Sequence, residues 1–66
     1  MQKYSILVQY SKEDDCYIAS VPELIGCMAH GESYGEAVQE IQNAMQLHVK
    51  IILEAGQQLP PPKLYA

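Results

Sequence analysis

The chain has 66 residues with eight acidic and four basic side chains, which gives a formal net charge of −4 at pH 7. A chain of this length allows one small domain, and its core is marginal as a monomer because only about 60% of the unfolded surface becomes buried. The acidic balance argues against direct binding of nucleic acid, since phosphate neutralisation requires clustered Lys and Arg side chains. No apolar run approaches the roughly 18 residues of a membrane span, so the sequence predicts a soluble protein.

The cysteine content indicates the cellular compartment in which the protein works. Cys16 and Cys27 are the only two cysteines, and no export signal precedes them. Disulfides support small proteins mainly in oxidising compartments, which a chain reaches through such a signal. We therefore expect reduced thiols and a cytoplasmic location.

Residues 4–21 are predicted to form an antiparallel hairpin. Apolar and aromatic side chains recur at every second position of residues 4–10, which is the pattern of a strand with one buried face. A polar break at residues 11–15 separates this strand from a second one at residues 16–21. The tip carries three consecutive acids that are candidate contacts for a cationic partner, with a solvated turn as the alternative: Glu13, Asp14 and Asp15.

The linker, residues 22–37, connects the hairpin to a helix. Pro22 cannot donate to a strand ladder and so ends the second strand. Gly26 permits the turn into a short third strand at residues 27–30. These connections are too short for parallel pairing, which needs a crossover of about a dozen residues, so the sequence predicts a three-stranded antiparallel meander.

A long helix is predicted from Tyr34 to about Ala55. Ser33 followed by Glu36 is typical of a capping box, and Gly56 supplies a residue that ends the helix. We expect a strand or a partner backbone to come close at Gly35, because glycine otherwise weakens the first turn. The arc predicted to face the sheet holds Val38, Ile41, Met45, His48, Val49 and Ile52, with Ala37, Ala44, Ile51 and Ala55 beside it.

The predicted helix is longer than the strands it packs on. About 22 helical residues span roughly 33 Å, whereas a seven-residue strand covers about 23 Å. The overhanging turns would expose apolar residues in a monomer, which favours a homo-oligomer, either a dimer or a tetramer. Candidate partner contacts on the helix, with isolated surface apolar residues as the alternative, are Leu47, Ile51 and Leu53.

The residues that could carry chemistry do not form a recognisable site. Cys27 and His30 are three residues apart, but a zinc site needs further ligands at short spacing. This acidic chain offers little electropositive environment for a thiolate, so Cys16 and Cys27 are interpreted as small hydrophobic residues and His48 as a core or interface residue. Paired carboxylates for acid/base chemistry would need a cleft that such a small fold hardly provides; the candidates are Asp14, Asp15, Glu23, Glu32 and Glu36. We predict no catalytic, metal or cofactor site and no enzymatic activity.

A run of residues at fixed spacing extends through the linker: Pro22-Glu23-Leu24-x-Gly26-Cys27-x-Ala29-x-Gly31-Glu32-Ser33-x-x-Glu36-Ala37. A second run follows the helix: Gly56-x-x-Leu59-Pro60-x-Pro62. Together with the first strand, these runs resemble the signature of the HicB-like antitoxin family over nearly the whole chain. The resemblance lies in the order and spacing of the pieces, since no single piece is diagnostic.

This resemblance implies a β-β-β-α arrangement with a further short strand, described in the family as a partial ribonuclease H-like fold. It implies no hydrolytic activity. Family members bind and mask HicA, a small basic toxin that resembles double-stranded-RNA-binding domains and cleaves mRNA with a catalytic histidine. The partner implied for this chain is therefore a HicA-like toxin, and its acidic balance fits that partner.

Full-length family members commonly continue into a DNA-binding domain, and this chain departs from that pattern. We expect residues 1–66 to form one HicB-like domain with a proline-rich tail at residues 57–66 and no DNA-binding domain. Residues 63–66 either add a short edge strand or fray. The alternative to an antitoxin is a stand-alone homo-oligomeric module that binds another protein or a small ligand.

Overall fold

Three strands and one helix follow one another along the chain, and the computed structural model describes residues 3–62. The strands form one sheet in the order β1-β2-β3, with antiparallel neighbours. This arrangement confirms the predicted α+β fold, a three-stranded antiparallel meander followed by one long helix. The edge strand considered at residues 63–66 lies outside the described residues. The elements are β1 Leu7–Ser11, β2 Cys16–Ser20, β3 Met28–Gly31 and α1 Tyr34–Glu54.

β1 is shorter than the sequence pattern predicts, because its partner strand ends first. β2 ends at Ser20, which pairs with Leu7, so β1 begins at Leu7 rather than at residue 4. Pro22 follows soon after and lacks the backbone N–H that would continue the ladder. The side chains of Tyr4 and Ile6 nevertheless pack against the core, on the side that the period-two pattern predicts.

The core lies between α1 and one face of the sheet, and the linker closes one end of it. The helix face predicted to pack on the sheet does so, but burial decreases along the helix. Ile41 is fully buried, Met45 and Val49 are half-buried, and Ile51 is exposed. The buried apolar residues are Ala19, Val21, Leu24, Cys27, Ala37 and Ile41.

Gly31, at the end of β3, allows the helix to approach the sheet closely. A Cβ added at Gly31 would lie 2.5 Å from the backbone nitrogen of Ala37 and 2.8 Å from the carbonyl carbon of Glu36. The expectation that a strand backbone comes close at Gly35 is wrong, because, apart from its chain neighbours and the helix's own backbone, no described atom lies within 4 Å of a Cβ built there. A close partner backbone stays a prediction. The tight contact between strand and helix is therefore four residues earlier in the chain.

Both ends of α1 have the capping residues that the sequence predicts. Ser33 is the N-cap, and its Oγ accepts a hydrogen bond from the Glu36 N–H at 3.1 Å. The Glu36 carboxylate accepts from the Glu32 N–H at 3.2 Å, so the reciprocal bond of the capping box falls one residue before the N-cap. Gly56, with φ of 74°, ends the helix in a Schellman motif. Within residues 3–62, no helix is apolar enough over a sufficient length to cross a membrane.

Candidate partner-binding site

In the described part of the chain, the side chains that could carry chemistry do not gather into one group. Within residues 3–62, no three His, Cys, Asp or Glu residues come together as a metal-binding group. Cys27 is buried, and burial raises the pKa of its thiol, which favours the unreactive neutral form over the thiolate. Cys16 is half-buried, His48 is half-buried on α1 and His30 is exposed on β3. The exposed surfaces of the molecule are therefore its strongest candidates for function.

Glu23 is a buried carboxylate that fastens the start of the chain to the linker. Both carboxylate oxygens accept from the Ser5 N–H at 3.1 Å, and Oε2 also accepts from Ser5 Oγ at 3.1 Å. These charge-assisted bonds satisfy the backbone of a segment that has left the strand ladder. The sequence pattern indicates Glu23 only as one of five acids considered for acid/base chemistry in a cleft. Its position directly after Pro22, where β2 has ended, was the available signal for a tethering role.

The acids at the hairpin tip are partly engaged with neighbouring side chains. Tyr10 donates its hydroxyl hydrogen to Asp15 Oδ1, and this hydrogen bond raises the pKa of Tyr10. Ser11 Oγ donates to Asp14 Oδ2 at 3.2 Å and accepts from the Asp14 N–H at 3.3 Å. Asp15 adopts a φ of 50°, in the left-handed region that a tight turn uses. The tip is therefore an ordered, exposed acidic turn.

A row of three tyrosines runs from this tip to the start of α1. The ring centroids of Tyr10 and Tyr17 lie 5.3 Å apart, and those of Tyr17 and Tyr34 lie 6.4 Å apart, both in edge-to-face geometry. Tyr10 and Tyr34 are more than half exposed. Aromatic faces beside carboxylates can receive Lys and Arg side chains. The sequence pattern does not predict this row, although the hairpin register alone pairs Tyr10 with Tyr17.

The three apolar candidates on α1 are all exposed, but they do not share one surface. Leu47, Ile51 and Leu53 expose 60%, 57% and 55% of their surfaces, respectively. Successive helical residues are rotated by about 100°, so Leu47 and Ile51 lie about 40° apart, whereas Leu53 lies about 160° from Ile51. The predicted contacts thus occupy three places, namely the hairpin tip and two opposite flanks of the helix.

A groove shows which of the two helix flanks lies on the β1 side. It measures about 460 Å³ and lies between the N-terminal segment and α1, on the β1 side of the helix. Leu53 lies within about 20° of Gln42 and Gln46 around the helix axis and therefore projects from this side. Leu47 and Ile51 project from the side away from β1, where β3 is the last strand of the sheet within the described residues. The groove is lined by Tyr4, Ile6, Met45, Val49, Gln39, Gln42, Asn43 and Gln46.

The face of the sheet opposite α1 forms a further exposed surface. Leu7 and Met28 lie on it, and about half or more of each side chain is accessible. A shallow depression of about 120 Å³ places Met28 and Ile18 beside His30 and Asp14. This face combines apolar and titratable side chains, but no described helix packs on it.

Comparison with known families gives a match over nearly the whole chain. Residues 4–65 match the family model described as the HicB_like antitoxin of bacterial toxin-antitoxin systems. The matched segment includes the sheet, the linker and α1, so it covers every element of the fold.

Curated relatives include proteins of similar and of greater length. A UPF0150 protein of Synechocystis is 34% identical over 64 residues, which cover 96% of this chain and 81% of that protein. A UPF0150 protein of Thermoplasma acidophilum is 28% identical over 58 residues, or 88% of this chain and 83% of the relative. An uncharacterized 14.9 kDa protein of Haemophilus phage HP1 is 33% identical over 57 residues, but this chain spans only 41% of its length. The chain belongs to the HicB-like antitoxin family of bacterial toxin-antitoxin systems.

Proposed function

We propose that this protein is an antitoxin that binds and neutralises a small basic toxin of the HicA type, an mRNA-cleaving ribonuclease. The observation that carries the proposal is the family match over residues 4–65. The net charge of −4 and the exposed acidic and aromatic residues of the hairpin end support it, because they complement a basic surface. The complex forms in the cytoplasm, where the mRNA substrate is found.

In the proposed mechanism, the antitoxin neutralises the toxin by covering the surface that the toxin uses for RNA. A basic ribonuclease attracts RNA phosphates by electrostatics. An acidic protein offers carboxylates to the same Lys and Arg side chains and, unlike RNA, provides no bond for the enzyme to cleave. The antitoxin therefore acts as a stoichiometric inhibitor without catalysis, cofactor or direct contact with nucleic acid.

The test uses a HicA-type ribonuclease, which is sought in the gene next to the one that encodes this protein. Purified toxin is titrated with the antitoxin, and cleavage of an mRNA substrate is followed at two salt concentrations. We expect inhibition to saturate at a fixed molar ratio, with affinity decreasing as salt screens the charges. Full ribonuclease activity in excess antitoxin, together with no complex in size-exclusion chromatography, would exclude the antitoxin function.

A second proposal is a stand-alone homo-oligomeric module that binds another protein or a small ligand. The observation favouring it is the number of large apolar side chains on the surface of so small a chain, including Leu7, Met28 and Leu47. This alternative predicts a stable dimer or tetramer without any toxin. Light scattering coupled to size-exclusion chromatography measures the mass, and a monomer at micromolar concentration would contradict the oligomer.

A further inference from the structure

We infer that the flank of α1 facing away from β1 is the surface on which the basic partner docks. This inference rests on the proposed antitoxin function and assigns the partner to one of the exposed surfaces. The surface, called here the outer flank, consists of Glu40, Ala44, Leu47, Ile51 and Glu54.

The outer flank is a continuous strip along the helix. At about 100° per residue, its five side chains fall within an arc of about 80°. Leu47 and Ile51 form its apolar centre and are more than half exposed, and Ala44 beside them is half-buried. Glu40 and Glu54 are exposed and border this centre toward the two ends of the helix. The strip thus has the apolar centre and polar rim of a protein interface.

The edge of the sheet lies on the same side as the outer flank. Cys27 accepts a hydrogen bond from the Val21 N–H at 3.2 Å, so alternate residues of β3 direct their backbone groups toward β2. By the antiparallel pattern, the N–H and C=O groups of Met28 and His30 point to the other edge of β3, where residues 3–62 place no further strand. Such an edge is a site where another protein pairs with a sheet. A partner that covers the outer flank from Glu40 onward can therefore also reach the backbone groups of this edge.

The charges of the outer flank favour a basic partner over a second copy of this chain. Its two ionisable residues, Glu40 and Glu54, are both acidic, and the nearest basic residue around the helix, Lys50, lies about 40° outside the arc. Two copies related by a twofold axis would bring carboxylates against carboxylates. A partner whose apolar centre is rimmed by Lys or Arg would instead form ion pairs at both ends of the strip. The basic protein is therefore the occupant that we assign.

The decisive experiment compares the two flanks of the same helix. The probe is the same HicA-type ribonuclease with its catalytic histidine replaced, and the dissociation constant is measured by titration calorimetry. The double variant Leu47→Ala with Ile51→Ala should weaken binding about 30-fold, because both side chains lie at the apolar centre. The matched control Leu53→Ala removes an equally exposed leucine from the opposite flank and should change affinity by less than about twofold.

A charge-reversal pair provides an independent test that does not depend on the apolar centre. Glu40→Lys with Glu54→Lys alters exposed side chains only, and we expect slower association with the toxin, most clearly at low salt. Circular dichroism verifies that every variant is folded.

The outcomes separate the surface from the function. If wild-type protein binds the toxin but neither the Leu47→Ala/Ile51→Ala variant nor the Glu40→Lys/Glu54→Lys variant affects binding, the outer-flank assignment is wrong and the antitoxin function stands. If wild-type protein does not bind, the proposed function fails. If the Leu47→Ala/Ile51→Ala variant instead dissociates a homo-oligomer without changing toxin affinity, the outer flank binds a second copy of this chain and the inference is overturned.

Discussion

The two halves of α1 follow the same amphipathic pattern but differ in what they pack against. In the N-terminal half, Ala37 and Ile41 are fully buried against the sheet. In the C-terminal half, from Ala44 to Glu54, no residue is fully buried, and the large apolar side chains Leu47, Ile51 and Leu53 are exposed.

The difference arises from the lengths of the elements. α1 has 21 residues and therefore spans about 32 Å. The strands have four or five residues and cover only about 13 to 17 Å. Because Gly31 of β3 lies against the first helical turn, the sheet supports the beginning of the helix and the second half extends past the strands. The first half thus stabilises the fold, whereas the second half leaves apolar side chains exposed, which is the surface that the proposed partner would contact.

The largest expected effect compares Ile41 with Leu47. Ile41→Ala removes a fully buried side chain and should lower the free energy of unfolding by about 4 kcal/mol. Leu47→Ala removes an exposed side chain and should change the free energy of unfolding by less than about 0.5 kcal/mol. Urea denaturation followed by circular dichroism at 222 nm measures both. Similar losses in the two variants would contradict the division of the helix into a supporting and a presenting half.

The two glycines near the start of α1 give the next largest difference. Gly31→Ala places a methyl group against the helix backbone and should cost about 3 kcal/mol, because neither backbone can yield without separating helix from sheet. Gly35→Ala enters open space and should stabilise the helix by up to about 1 kcal/mol. Thermal denaturation of the two single variants compares them directly. A tolerated alanine at residue 31 would show that Gly31 does not hold the helix on the sheet.

These glycines illustrate how far the sequence predicts the fold. Local signals, such as the N-cap Ser33 and the terminating Gly56, correctly predict where the helix begins and ends. The close approach was assigned to Gly35 instead of Gly31, because it depends on how the helix crosses the strand, and that geometry is set by tertiary packing. β1 was predicted too long for a similar reason, since its length depends on where the partner strand stops.

The candidate surfaces show the same limit. Periodicity alone identifies apolar residues outside the sheet-facing arc, such as Leu47 and Leu53. It also places them on different flanks, but it does not show which flank borders the groove, because that depends on the position of β1 relative to the helix. Periodicity does not predict the tyrosine row, because Tyr34 meets Tyr17 only when the hairpin register and the start of α1 are combined.

Substitution of Glu23, which holds the N-terminal segment against the linker, should have an effect of intermediate size on stability. Glu23→Ala leaves the Ser5 N–H and hydroxyl without their acceptor and should cost about 2 kcal/mol. Glu23→Gln retains one carbonyl oxygen and should cost less. Hydrogen exchange at the Ser5 amide, measured by NMR, should accelerate in the alanine variant before the helix amides do. Equal acceleration throughout the protein would show that Glu23 supports the whole core rather than the N-terminal segment.

The smallest expected effect concerns Ser33, the N-cap at the start of α1. Ser33→Ala removes the acceptor of the Glu36 N–H and should lower the free energy of unfolding by about 1 kcal/mol. Ser33→Asp restores an acceptor and should recover most of this loss. Because Ser33 lies at the opposite end of α1 from Leu47 and Ile51, a folded Ser33→Ala variant should bind the toxin with unchanged affinity. If the free energy of toxin binding falls by more than the free energy of unfolding does, the partner also contacts the beginning of the helix. The separation between a supporting and a presenting half would then not apply to binding.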